Sequence, residues 1–530
     1  MVRILKLVTG LLASITLYAC TGNFEKYNSD KTGFTEEQKA YDYNTFGVWL
    51  KVVQMGIYFN YDWGGGKNWT FQTMQNLSAD MFCGYMHDFS PYIAGMGNTV
   101  YNLQDGWNST MWDNTYGYIM TEIKNIEDYS YEKYPTFYAV AKILKVEVMH
   151  RVSDYYGPII YSRFGESNIG AMPDSQKDVY YAFFRDLEEA IQLLGEYKGE
   201  ETLARFDMIM PNKYRTYREW VRFANSLRLR LAIRIAMVDP VKAEEEARKS
   251  IGHSSGMLEA DYEIVSVSTA GTGYSNPLGE ISNAWGDAIL NANMESILKG
   301  YEDPRLACYF KPATGSGYEG EYRGIRQGTG FNHQKYNEHS KCTVTQSSDA
   351  ILMTPAEVWF LRAEAALRGW SDEDAEACYA HGVKASFSQW RAEGADKYLQ
   401  SESVPVDFVD TFTPEYSAKA ICKISPKWED GVSDEVKLEK IITQKWIACF
   451  PEGCEAWAEQ RRTGYPRLFP VLVNKSNGNI STQTMIRRLN FPVGIISDNP
   501  TQYAALCVYL GGLDNGGTRL WWDTGRNFRH

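Results

Sequence analysis

The hydrophobic pattern is helical along much of the chain, but it is interrupted. Phe137, Ala141, Leu144, Val148 and Val152 recur at i, i+4, i+7, i+11 and i+15, the spacing of one helix face. The spacing predicts a helix over 136–156, stopped by Tyr156-Gly157-Pro158, where glycine takes the cap and proline cannot continue the ladder. A second helix is predicted over 176–195. A third, over 213–238, repeats the spacing through Trp220, Phe223, Leu227, Leu231 and Ile235. Arg218, Arg222, Arg228, Arg230 and Arg234 flank that stripe and read as a solvated or ion-paired face. Thr354-Pro355-Ala356-Glu357 reads as a capping box with proline at the first helical position. Its helix runs through Leu367 to a left-handed cap at Gly369, and Ser371-Asp372-Glu373-Asp374 starts another. These two helices occupy about 33 residues, close to the ~34-residue tetratricopeptide period. Helices over 136–156 with 176–195, 213–238 with 240–251, and 437–448 with 454–463 supply further pairs. None carries the full tetratricopeptide consensus, so pairing and length alone support the repeats.

Two long stretches break the pattern. One spans about 58–118 and holds Tyr58-Phe59-Asn60-Tyr61-Asp62-Trp63-Gly64-Gly65-Gly66-Lys67-Asn68-Trp69, then Trp107 and Trp112. The other spans about 262–346 and is dense in Gly, Tyr, Ser and Asn. Loops this long inside a compact protein usually carry function. Rigid rings among small polar residues are the composition of a binding surface.

The N-terminus changes the picture most. Arg3 and Lys6 precede an apolar run from Leu7 to Leu17, then Leu17-Tyr18-Ala19-Cys20. The run is short of the about 20 residues a spanning helix needs. A basic start, an apolar middle and a small residue before the cut make an export signal. A cysteine directly after the cut is similar to a bacterial lipobox, although Tyr18 is bulkier than usual there. Several acyl chains on Cys20 would hold stably, where one holds marginally. The reading is a signal peptide over 1–19, a lipidated Cys20 with a tether over 20–40, and one domain over 41–530.

Composition narrows the function. The 530 residues carry 54 Lys+Arg against 66 Asp+Glu, a net charge of −12, which argues against a nucleic-acid partner. The chain has 36 Tyr and 15 Trp, rings with polar handles that suit half-wet surfaces. Cysteines after Cys20 are scattered without a CxxC pair, so no zinc site is expected. Buried free thiols are the favoured reading, with a Cys449–Cys454 disulfide the alternative.

Catalytic motifs fail on context. Gly315-Ser316-Gly317-Tyr318-Glu319-Gly320 matches GxGxxG but leads into more loop. Gly252-His253-Ser254-Ser255-Gly256 matches GxSxG but follows a helix, so Gly252 reads as a C-cap. Glu147 and His150 lack a second ligand pair for a metal. No catalytic residue, metal or cofactor is assigned.

Several segments together resemble the SusD/RagB family of nutrient-binding outer-membrane lipoproteins, in its SusD-like branch from Bacteroidetes. They are Cys20-Thr21-Gly22-Asn23-Phe24-Glu25, Arg151-Val152-Ser153-Asp154-Tyr155-Tyr156-Gly157-Pro158-Ile159, and Pro211-Asn212-Lys213-Tyr214 with the Trp220 helix. Thr354-Pro355-Ala356-Glu357-Val358-Trp359-Phe360, Glu439-Lys440-Ile441-Ile442-Thr443-Gln444-Lys445-Trp446 and Thr518-Arg519-Leu520-Trp521-Trp522-Asp523 complete the set. Ile160 departs from a proline common in the family.

The resemblance implies a mainly α fold, a tetratricopeptide-like superhelix of four helix pairs whose long loop-rich insertions carry the ligand surface. It also implies capture without catalysis, an oligosaccharide or peptide ligand, and a SusC-like TonB-dependent transporter as partner. Sugar rings offer an apolar face to Trp and Tyr and a hydroxyl rim to polar groups. On that basis the candidate ligand residues are Trp63, Trp69, Trp107, Tyr274, Asn276, Trp285 and Tyr318. For each ring the alternative is ordinary core packing.

Overall fold

The computed structural model describes residues 43–59, 69–88, 97–166, 170–199, 203–210, 217–329 and 333–528. Cys20, the stretch over 1–40 and Trp63 lie outside the described residues. The chain divides into two units between Val48 and Trp49. In the first, the described residues 43–48 open a helix, Asn44–Gly56. The second carries the helix pairs.

Eight helices make four pairs: α1 (Pro135–Tyr156) with α2 (Gln176–Glu196), α3 (Arg218–Arg234) with α4 (Pro240–Ile251), α5 (Pro355–Leu367) with α6 (Ala375–Gln389), and α7 (Asp434–Ala448) with α8 (Gly453–Thr463). The pairs stack through α2 on α3, α3 on α5, α5 on α7 and α1 on α8. This is the tetratricopeptide-like arrangement expected above. The boundaries follow local chemistry. Pro135, Pro240 and Pro355 open their helices, where a missing N–H costs nothing. Ser175, Asp239, Asp374 and Ser433 cap backbone N–H groups of α2, α4, α6 and α7. Gly157 ends α1 at φ +94, and a Cβ there would sit 3.1 Å from Leu520 Cδ2.

The stripe on α1 understates its burial: almost the whole helix is buried, including Glu147, Arg151 and Asp154. A helix buried all round must satisfy its charges inside. The arginines of α3 meet that demand. Arg228, Arg230 and Arg234 are 2%, 1% and 0% exposed, so the ion-paired reading holds for a buried face instead of a surface one. Arg230 forks onto Glu357, with Nε–Oε1 and Nη2–Oε2 both 2.7 Å. Arg234 pairs with Glu455 and Glu459. Lys445 donates to Glu455 at 2.7 Å, and Arg462 joins Glu364 to Glu459 at 2.7 Å each. The network thus ties α3, α5, α7 and α8 together. Thr354 Oγ1 accepts from Glu357 N at 3.2 Å, as a capping box requires. The Glu357 carboxylate is taken by Arg230, because a buried guanidinium needs a counter-charge more than the helix start needs a second cap. Against the burial that raises them, neighbouring cations hold Glu455 and Glu459 below the usual carboxylate range. Burial pushes Glu147 up to about 7 despite Arg151 and Arg230.

Two short antiparallel strand pairs tie the insertions down. β1 (Met86–Asp88) pairs with β3 (Ala288–Leu290) in the register Met86↔Leu290, His87↔Ile289, Asp88↔Ala288. β2 (Val265–Val267) pairs with β4 (Ala350–Met353), which leads into α5. The eight cysteines among the described residues are free thiols, Cys449 and Cys454 included. No described helix is long and apolar enough to cross a membrane.

Candidate ligand-binding face

The β1–β3 pair joins the two insertions, one strand from each. Beside it a π-helical turn, Gln72–Asn76, acts as a hub. Among the segments that meet at this turn are Trp69–Phe71, which leads straight into it, Asp105–Asn108 with Trp107, and Pro277–Gly279, which runs on into the Glu280–Trp285 turn. Gln72 Nε2 also donates to Asp287 Oδ2 at 3.1 Å, two residues beyond Trp285. Segments bearing Trp69, Trp107 and Trp285, far apart in sequence, therefore meet at one place.

Trp69 is 51% exposed and Trp285 38%; no other tryptophan among the described residues is as open. Trp107 is half-buried. The Trp285 turn is built to hold its ring outward. Gly286 ends it at φ +75, a left-handed position where a Cβ would approach Lys341 Nζ to 2.8 Å. Asp287 N closes back on Ile281 O at 2.9 Å. Asn283 Nδ2 donates to Gly279 O at 3.1 Å, and Ser282 Oγ to Cys342 O at 2.8 Å. Gly279 lies so close to the chain at Thr345 that a Cβ would fall 2.1 Å from the Thr345 carbonyl carbon. This contact sets the exposed Thr345 and Gln346 beside the turn. Hydroxyl and amide groups at that position are a feature that aromatic composition did not flag.

The remaining candidates sit elsewhere. Tyr274 is 4% exposed, and its hydroxyl donates to Tyr58 O at 2.9 Å. Asn276 is buried; its Oδ1 accepts from Leu278 N at 3.0 Å and its Nδ2 donates to Ser348 O at 3.1 Å. Both brace the insertion from inside. Tyr318 is buried in a separate aromatic cluster, edge-on to His339 and Phe412 at 5.4 and 5.9 Å. The 315–320 glycine stretch is a turn with no helix after it.

Two carboxylates flank one end of the strand pair, Asp88 as the last residue of β1 and Asp287 just before β3. Burial, and then the negative charge of Asp287, push Asp88 up to about 7. Asp88 and Asp287 are 8% and 2% exposed. Among the described residues no three His, Cys, Asp or Glu side chains gather as a metal-ligand set. The face thus offers open indole rings and polar groups, among them Gln346, whose amide donates to Glu280 in the Trp285 turn.

Stacked helix pairs with a face assembled from two insertions define a helical-repeat scaffold whose insertions, not its paired helices, present the open rings. A family model described as SusD-like, SusD and RagB outer membrane lipoprotein, matches residues 26–523, and the chain belongs to that family. Its structure is similar to a SusD homologue from Bacteroides vulgatus, at 46% identity and TM-score 0.87, covering 92% of this chain and 100% of that one. A chitin-binding SusD homologue from Flavobacterium johnsoniae shares 40% identity at TM-score 0.86, covering 91% and 99% of the two chains. A SusD homologue from Bacteroides thetaiotaomicron shares 32% at TM-score 0.82, covering 91% and 99%. No curated protein matches by sequence.

Proposed function

We propose that the chain is a lipid-anchored glycan-capture protein of the outer membrane, acylated at Cys20, that passes oligosaccharides to a SusC-like TonB-dependent transporter. One observation carries the glycan reading: the two most open tryptophans among the described residues, Trp69 and Trp285, sit on segments that converge from different insertions. Indole faces take the C–H face of a pyranose, and amides and hydroxyls such as Gln346 and Thr345 take its rim. A capture protein must release its cargo, which suits an open face more than an enclosing pocket. The chitin-binding relative makes chitooligosaccharides the first probe.

Calorimetry with chitooligosaccharides and a panel of other glycans tests this. Trp69→Ala and Trp285→Ala are each expected to weaken binding about tenfold, the usual cost of truncating an aromatic anchor. Retention of peptides and of no glycan would move the chain to the peptide-binding reading. A hydrolase would need two carboxylates facing the sugar. Asp88 and Asp287 are one close pair, coupled electrostatically, and both are buried; glycan shortening that is lost in Asp88→Asn would favour the hydrolase reading. Mass spectrometry of the native chain tests acylation at Cys20, and co-purification with a transporter barrel tests the partner.

A further inference from the structure

A cavity of about 500 Å³ opens at the C-terminal end of α8, walled by the loops that follow α8 and by the chain terminus. Arg461, Arg462, Arg467, Arg487 and Arg519 line it, and no Asp or Glu does, although acids outnumber bases in the chain as a whole. Of these five, Arg462 is fully paired, forking onto Glu364 and Glu459, and the excess of positive charge lies on the others. Arg487 and Arg519 share the single Asp523. Arg467 pairs with Glu439 at 3.1 Å. Arg461, 1% exposed, donates to carbonyls alone: Asp154 O, Arg487 O and Trp457 O. Its Nη2 is buried with no hydrogen-bond acceptor. An unused donor on a buried guanidinium costs free energy until an acceptor arrives. Burial, with Arg487 adding repulsion against the pull of Asp154, brings Arg461 down to about 9, the direction expected where positive charge is in excess.

We infer that this cavity is a second ligand site, selective for the oxyanion of an acidic sugar, a carboxylate or a sulfate ester. The guanidinium fork matches such groups in geometry as well as charge. The other lining groups suit the sugar: Thr482, Gln483 and Thr484 offer hydrogen bonds, and Leu468 and Pro470 offer apolar surface. The walls are concave and sized for one or two sugar rings, which favours a saccharide over the flat side of a protein partner. Arg467 and Arg519 are 52% and 42% exposed at their side chains, so an arriving ligand meets them first. The inference does not rest on the tryptophan face, which is built from other elements.

The test is calorimetry on the full-length chain in mild detergent at low ionic strength, with glucuronate, galactose 6-sulfate and glucose as probes. At least one acidic sugar is expected to bind tenfold or more tighter than glucose, and the tighter of the two names the oxyanion. Raising salt to 0.5 M should weaken that binding several-fold, since ion pairs at an open site are screened. Arg467→Gln with Arg519→Gln should weaken it tenfold or more, while Trp285→Ala leaves it unchanged. Both arginines are half-exposed, and a matching denaturation midpoint confirms that the double variant folds. Absence of saturable binding by either acidic sugar, equal binding of glucose, or a double variant that binds like the parent would each overturn the inference.

Discussion

The helix-pair interior and the insertion face use side chains in opposite ways. In the interior, groups that prefer water are buried: Arg230, Arg234, Lys445, Glu357, Glu455 and Glu459 are all nearly inaccessible. On the face, groups that prefer the core are left open, with Trp69 and Trp285 half in solvent. Each inversion has a cost. These six buried ions are tolerated because each finds a counter-charge from another helix, so the network acts as a lock on how the pairs stack. Open indoles contribute little to stability where they stand, and their value lies in what they contact from solution. The difference teaches that mutations in the two regions should separate cleanly, one set moving stability and the other moving ligand binding.

The sharpest break in that comparison comes from Arg230→Ala. It strands Glu357 between α3 and α5, and removal of one partner from a buried pair costs about 3–5 kcal/mol. Chemical denaturation should show the loss, whereas a cost below ~1 kcal/mol would mean that the network does not lock the stack.

The next effect is on pH. Burial holds Asp80 at about 7, and Glu147 too at about 7, so both bind a proton in the folded state at pH values where the unfolded chain has released it. Their contribution is present below about pH 4 and is lost as pH rises through 7. Between pH 4.5 and 7.5 each of the two acts to lower stability, by on the order of 3 kcal/mol. Against this runs the opposite slope of His150 and His339, which burial holds below the ordinary imidazole range. Asp80→Asn or Glu147→Gln should therefore make the profile fall less steeply than in the parent. Below pH 4.5 the sign reverses, because Glu455 and Glu459 are held below their ordinary range and lose stabilisation on protonation. A profile between pH 4.5 and 7.5 that neither substitution changes would contradict the placement of these groups.

Gly453→Ala comes third. A Cβ at this position would lie 2.1 Å from Asp80 Oδ1 and 2.8 Å from its Cα, where the Ala79–Phe82 helix meets the start of α8. Backbone cannot give way as a flexible side chain can, so a cost of about 1–3 kcal/mol is expected in the same denaturation assay.

What the sequence revealed follows from which signals are local. Periodicity and caps are properties of neighbouring residues, so the helix over 240–251 was legible to the residue and that over 136–156 to within one. Gly369, φ +75, stands where a left-handed cap was read. Partners across the fold left no such trace. Nothing near Arg230 in sequence points to Glu357, and nothing near Glu357 distinguishes a capping carboxylate from a buried counter-ion. The candidate face divides in the same manner. Aromatic density marked the right insertions, but composition does not say which ring points out. Tyr274 and Trp285 occur in the same kind of Gly- and Asn-rich context; one braces the loop through Tyr58 O and the other stands open. The convergence of Trp69, Trp107 and Trp285 depends on the Gln72–Asn76 turn and on the β1–β3 pairing, both long-range.

The smallest effect sharpens the comparison most, because it asks for near-silence. Trp285→Ala removes the largest side chain of its turn, and in a packed core a Trp→Ala change costs about 3–5 kcal/mol. Here the ring is 38% exposed, and backbone and side-chain bonds at Asn283, Ser282 and Asp287 hold the turn without it. A stability change within about 0.5 kcal/mol is expected, as for surface positions away from buried features. The same variant should lose about tenfold in glycan affinity if the ring is an anchor. A large stability loss would recast Trp285 as part of the scaffold, with the ligand contacts of this face left to Trp69 and the polar loop at Thr345. Silence in stability together with loss of binding would separate the two regions in one protein sample, measured twice.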